Sequence, residues 1–119
     1  MSRHEDVIRL RHMADHAREA VEMAACLSLA AIESDRMAQL ALRHLVEIVG
    51  EAADRVSRKT QEDITAIPWS KVVGMRNRII HGYDKVDLAL LWDTIVEDLP
   101  PLIKHLDEAI ARLEREGRK

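Results

Sequence analysis

Residues Met75–Asp87 hold the densest run of reactive side chains in the chain: Arg76, Asn77, Arg78, His81, Tyr83, Asp84 and Lys85. A guanidinium grips phosphate through paired N–H donors. An imidazole titrates near neutrality and can move a proton. A helix through this stretch sets Asn77 and His81, four apart, on one face, with Arg76 flanking it. These are the minimum groups for cleaving RNA without metal. A base takes the proton from a ribose 2′-OH, and a cation holds the charge that develops on the phosphorus oxygens. Such cleavage also needs an acid, and this segment carries one histidine. A two-fold dimer that brings two copies together supplies both groups, and a second arginine. The plainer alternative is that Arg76 and His81 decorate a helix C-terminus, where cations are favourable.

Charge is distributed in a way that suits an anionic ligand in this region. The net charge is −3. Residues 55–85 nevertheless carry seven basic and three acidic groups, while both flanks are acidic. A local basic island can hold phosphate in an acidic protein.

The elements that must position these residues read as helices. With 119 residues the chain makes one domain, residues 1–119, large enough for a core without disulfides. Three prolines and four glycines are too few for an all-β chain. With no Phe and 3% aromatics, the core is aliphatic. Val7, Leu10, Ala14, Ala17, Val21 and Ala24 recur at helical spacing and predict a first helix over residues 5–29. Ser34 and Asp35 offer an N-cap for a second, running to about Val56. Its apolar face is wide, from Leu42, Leu45, Val49, Ala52 and Val56 outward to Ala41, Ile48, Val46 and Ala53. Gly50 in its middle permits a close approach, which fits a subunit interface as well as a buried central helix.

A loop over residues 57–67 follows, with a short turn near Thr60–Ile64. A third helix starts at Pro68, suited to the first helical position, and ends near His81 before Gly82. Asp87 caps a fourth, with Val86 and Leu91 placed as a hydrophobic staple. Pro100 and Pro101 predict a kink or a fresh start before the pattern resumes through Leu113. The fold class is all-α, an up-and-down bundle of four to five helices.

The stretch Ile67-Pro68-Trp69, then Gly74-Met75-Arg76-Asn77-Arg78-Ile79-Ile80-His81-Gly82-Tyr83, then Val86-Asp87, Leu91-Trp92 and Asp98-Leu99-Pro100, resembles the HepT-like branch of the HEPN superfamily. Gly50-Glu51-Ala52 fits the same family upstream. The shared signature is Arg, four residues, His, one residue, Tyr, and the resemblance covers the chain from the second helix onward. It implies a HEPN-like bundle that dimerises with its paired motifs in a cleft between subunits. It also implies the toxin half of a toxin–antitoxin pair, a metal-independent endo- or exoribonuclease that needs no cofactor. The implied partner is a cognate minimal nucleotidyltransferase antitoxin, which transfers AMP to the motif tyrosine. By that resemblance Arg76 and His81 are catalytic, Asn77 and Arg78 support them, and Tyr83 is the AMP acceptor. The competing reading is a non-catalytic regulatory subunit of a nucleotidyltransferase, which keeps the fold and the partner but gives His81 no chemistry.

The remaining candidates carry plainer expectations. Glu51 sits at the margin of the wide apolar face, where it either pairs with Arg76 or Arg78 or faces solvent beside Asp54. His12 and His16 are four apart, but no zinc motif surrounds them, and no metal is expected. Cys26, the single cysteine, excludes an internal disulfide and reads as a small apolar helix residue. No apolar run approaches the roughly 18 residues of a membrane span, and Met1–Arg11 has no signal-peptide core. The expectation is a cytoplasmic protein with no membrane contact.

Overall fold

A computed structural model describes residues 3–81 and 85–117; of His81 it describes the backbone only. The fold is all-α, organised around one long central helix. That helix, α1, covers Arg3–Ala25. After the short α2 (Leu29–Glu33) comes α3 (Arg36–Arg55), capped as expected by the Asp35 carboxylate, which accepts the Ala38 N–H. The final helix, α8, spans Leu99–Gly117. Helices α3 and α8 both pack on α1. Ion pairs Arg3–Glu116, Arg11–Glu114 and Arg18–Asp107 fix α8 antiparallel to α1.

The face of α1 explains its central place. Ala14, Ala17, Ala20 and Ala24 are buried with Leu10 and Met13. Small side chains on two flanks let α3 and α8 approach the same helix from different sides. Opposite them lie Leu42, Val46, Val49 and Ala53 of α3 and Leu99, Leu102, Leu106 and Leu113 of α8. Val7 and Val21, read from spacing as part of the seam, are half-buried at its edge.

Between α3 and α8 the chain differs from the expected order. Residues 58–63, read as loop, form α4 (Arg58–Asp63), because Ser57 caps it by accepting the Thr60 N–H. The expected third helix is instead two five-residue helices, α5 (Trp69–Val73) and α6 (Met75–Ile79), joined at Gly74. Pro68 stands one position before α5 rather than inside it. Helix α6 stops at Ile80, whose backbone is extended, so His81 lies on a strand and not on a helix face with Asn77. Strand β1 (Ile80–His81) pairs antiparallel with β2 (Lys85–Val86), Ile80 opposite Val86 and His81 opposite Lys85. Gly82, Tyr83 and Asp84 lie outside the described residues.

Asp87 then caps α7 (Leu88–Asp93) by accepting the Leu90 N–H, as its position predicted. The kink expected at Pro100 and Pro101 is displaced upstream, into a π-helical turn over Thr94–Asp98. In a regular α-helix the proline rings would press on the carbonyls of Val96 and Glu97 and leave them without donors. The chain widens one turn earlier instead, and the Leu99 N–H bonds to the Thr94 carbonyl five residues back.

One buried carboxylate ties the start of α1 to the start of α4, just past α3. Asp6 is 1% exposed. It accepts hydrogen bonds from the Ser57 N–H at 2.9 Å, the Ser57 hydroxyl at 2.6 Å and the Thr60 hydroxyl at 2.6 Å. Burial pushes its pKa up, but the three donors outweigh that and leave it below the ordinary carboxylate value. A depressed folded-state pKa stabilises the fold above the unfolded value near 3.8, and the contribution disappears as pH falls through the folded value. Asp6→Ala should therefore lower the unfolding free energy at neutral pH by about 2–3 kcal/mol. Urea titrations across acid pH check this: the gap between wild type and variant should close as the carboxylate protonates.

Candidate active site

The motif segment is held on three sides. Its floor is Val72, Met75 and Ile79, all buried against the core. Their spacing turns one stripe of α5–α6 inward and leaves Arg76 and Asn77 exposed on the outer flank. Behind α5 lies Gly50 of α3. A Cβ there would stand 3.3 Å from the Val72 carbonyl oxygen and 3.5 Å from that of Val73. The glycine that breaks the apolar run of α3 thus serves contact within the protomer, letting two backbones meet. At the entry, the half-buried Trp69 donates its indole N–H to the Ile64 carbonyl at 2.9 Å and anchors the turn before α5.

The exit is set by backbone pairing. The Ile80 N–H bonds to the Arg76 carbonyl, and the Asp87 N–H bonds to the Ile79 carbonyl at 2.8 Å. The strand that holds His81 then pairs antiparallel with Lys85–Val86, Ile80 opposite Val86. Arg76, Asn77 and the His81 backbone are consequently gathered at one surface corner, where a short helix passes into a strand.

Arg78 departs from this corner. It is half-buried, and its Nη2 donates toward Asp98 at 3.4 Å and Thr94 at 3.5 Å, both on the π turn. Lys71 reaches the same carboxylate at 3.4 Å. Glu51 takes the solvent-facing alternative: it is exposed on α3, in a groove of about 420 Å³ beside Arg9, His12 and Arg55, and that groove includes neither Arg76 nor Arg78. Its expected pairing with Arg78 is thus displaced by Asp98, whose role no local pattern announced. Tyr83 lies outside the described residues.

Away from the corner, the His12 and His16 rings meet edge to face with centroids 6.4 Å apart, and the His16 Nδ1 lies 2.7 Å from the His12 carbonyl oxygen. Cys26 is a free, exposed thiol. Among the described residues, no helix is long and apolar enough to cross a membrane.

The family model for ribonuclease HepT-like proteins matches residues 13–109. The chain belongs to the ribonuclease HepT-like family. The match includes α3, the α5–α6 corner, the π turn and the first part of α8. Similar proteins carry ribonuclease names. "Putative RNase TTE0752" of Caldanaerobacter subterraneus subsp. tengcongensis is 27% identical over 87% of this chain and 92% of its own length. "Putative RNase MJ1380" of Methanocaldococcus jannaschii is 28% identical over 90% of this chain and 98% of its own. "Probable ribonuclease HepT" of Thermococcus cleftensis is 37% identical over 57% of this chain and 62% of its own. No solved structure matches the chain.

Proposed function

We propose that this chain is a ribonuclease that cleaves RNA without metal, with Arg76 and His81 as its catalytic residues. The observation that carries this reading is the corner of a ribonuclease HepT-like chain where the exposed Arg76 and Asn77 lie in a short helix and His81 ends the two-residue strand that follows. His81 takes the proton from a ribose 2′-OH. The 2′-oxygen attacks the adjacent phosphorus, and a second acid protonates the departing 5′-oxygen. Arg76 holds the negative charge that builds on the phosphorus oxygens. The products are a 2′,3′-cyclic phosphate and a free 5′-hydroxyl.

The second proton-transfer group comes from a second copy of the chain, in a two-fold dimer that places both motifs in one cleft. Apolar side chains left uncovered on α1 and α3 suit such an assembly: Ile8 is 39% exposed, Leu40 46% and Met37 82%. Glu51 and Asn77 line or support that cleft, and Arg78 supports it from within. His81→Ala should lower kcat on RNA by about 10²–10⁴-fold, and Arg76→Ala by about 10²–10³-fold, with helical content unchanged. Cleavage should persist in EDTA. Full activity in His81→Ala, or a strict requirement for Mg²⁺, overturns the mechanism.

In the cell, on this reading, the enzyme is a cytoplasmic toxin restrained by a cognate minimal nucleotidyltransferase antitoxin. The Tyr83 phenol oxygen attacks the α-phosphorus of ATP, pyrophosphate leaves, and AMP stays bound two residues beyond His81. The added phosphodiester carries negative charge to the arginines that RNA phosphate needs, and the nucleoside fills the cleft. Intact-mass measurement after incubation with the antitoxin and ATP tests this. Wild type should gain AMP and lose activity, whereas Tyr83→Phe should gain none and stay active. Equal AMP on the Phe variant counts against Tyr83.

A further inference from the structure

Helices α5 and α6 have five residues each, far below the roughly 12–15 at which a helix holds itself in water. Neither has a side-chain N-cap. The apolar floor fixes their depth, and Gly50 fixes the height of α5. The bend between them at Gly74, which sets the direction of Arg76, needs a further constraint. One carboxylate spans that bend. Asp98 Oδ1 lies 3.4 Å from Lys71 Nζ on α5, and Asp98 Oδ2 lies 3.4 Å from Arg78 Nη2 on α6. Thr94, at the other end of the π turn, receives the same Arg78 nitrogen at 3.5 Å. The Arg78 Nε is buried with no hydrogen-bond partner among the described residues, so the guanidinium depends on these contacts.

The same geometry has an electrostatic result. Lys71 and Arg78 belong to the same basic island as Arg76, on the two short helices that carry the motif. Left free, they would compete with Arg76 for the RNA backbone. Paired to Asp98, whose charge offsets one of theirs, they compete less.

We propose that Asp98 is a positioning residue for the ribonuclease site. It locks the α5–α6 bend so that Arg76 faces the substrate, and it masks Lys71 and Arg78 so that phosphate is delivered to Arg76. This rests on the ribonuclease reading above and names a residue outside the catalytic pair. The two effects pull binding and turnover in opposite directions, which loss of stability alone does not do.

The test uses Asp98→Asn and Asp98→Glu in the full chain, with a fluorescent single-stranded RNA oligonucleotide as probe. Asp98→Asn should lower kcat about tenfold or more, since a misplacement near 1 Å can cost 10²-fold. Its KM should fall as well. The slope of log affinity against log salt should steepen by about 0.7 for each cation released, to a maximum of about 1.4. Asp98→Glu should restore most of kcat and the shallower slope. Lys71→Gln removes one arm without freeing a charge, so it should lower kcat with no gain in affinity, and it gives a second route if Asp98→Asn fails to fold. Unchanged kcat and salt slope in folded Asp98→Asn overturns the proposal, as does lower kcat with unchanged slope and no rescue by Asp98→Glu. Wild type that cleaves no RNA would instead refute the ribonuclease reading, while the salt slopes still decide whether Asp98 masks the two cations.

Discussion

The backbone of α5 meets α3 closely at Gly50, where a Cβ would stand in tight contact, 3.3 Å from the Val72 carbonyl oxygen. Everything that carries the motif hangs on that approach. Two five-residue helices have no cooperative stability of their own. They take their position from α3, and α3 takes its position from α1. Alanines on α1 allow it to sit between α3 and α8, and Asp6 pins its first turn to the start of α4, just past α3. The site is therefore a superficial feature with deep supports. Arg76 is exposed, and the residues that set its place lie beneath it and far from it in sequence.

The opposite support comes from the π turn, where two consecutive prolines deny the helix its regular bonding. The wider turn that results carries Thr94 at its start and Asp98 at its end, and both receive Arg78. A helix defect thus faces the motif with the two acceptors that hold it. The +4 charge of residues 55–85 read from sequence is reduced locally by this carboxylate, because Lys71 and Arg78 are already paired. Arg76 is left as the exposed arginine of α6.

How much was legible in the sequence depended on how local the signal was. Helix α3 and the Asp87 cap of α7 were readable because a cap and an apolar period lie within a few residues of each other. The departure of His81 from the helix was not, because Ile79 and Ile80 suit a helix or a strand, and the choice is made by the Ile80–Val86 ladder. The prolines announced a disturbance, but it fell upstream, since a proline acts on carbonyls four residues earlier. Ser57 and Thr60 turned an expected loop into α4. Asp6 left no trace at all, its partners being 51 and 54 residues away. Glu51 was readable as a marginal residue with two alternatives, pairing or exposure, and it is exposed while Arg78 pairs with Asp98. Of the candidate site, the sequence supplied the residue types at the corner, and packing supplied their directions.

A single chain presents one Arg76 and one His81, and the account needs two proton-transfer groups in one cleft. The decisive quantity is the separation of the two motifs in solution. A spin label on Lys85→Cys, in a chain whose exposed thiol is removed by Cys26→Ala, reports on the strand opposite His81. Pulsed electron paramagnetic resonance should give one narrow distance well under the 51 Å length of a protomer. A monomeric mass, or a dimer whose labels lie as far apart as a protomer is long, would contradict a shared site.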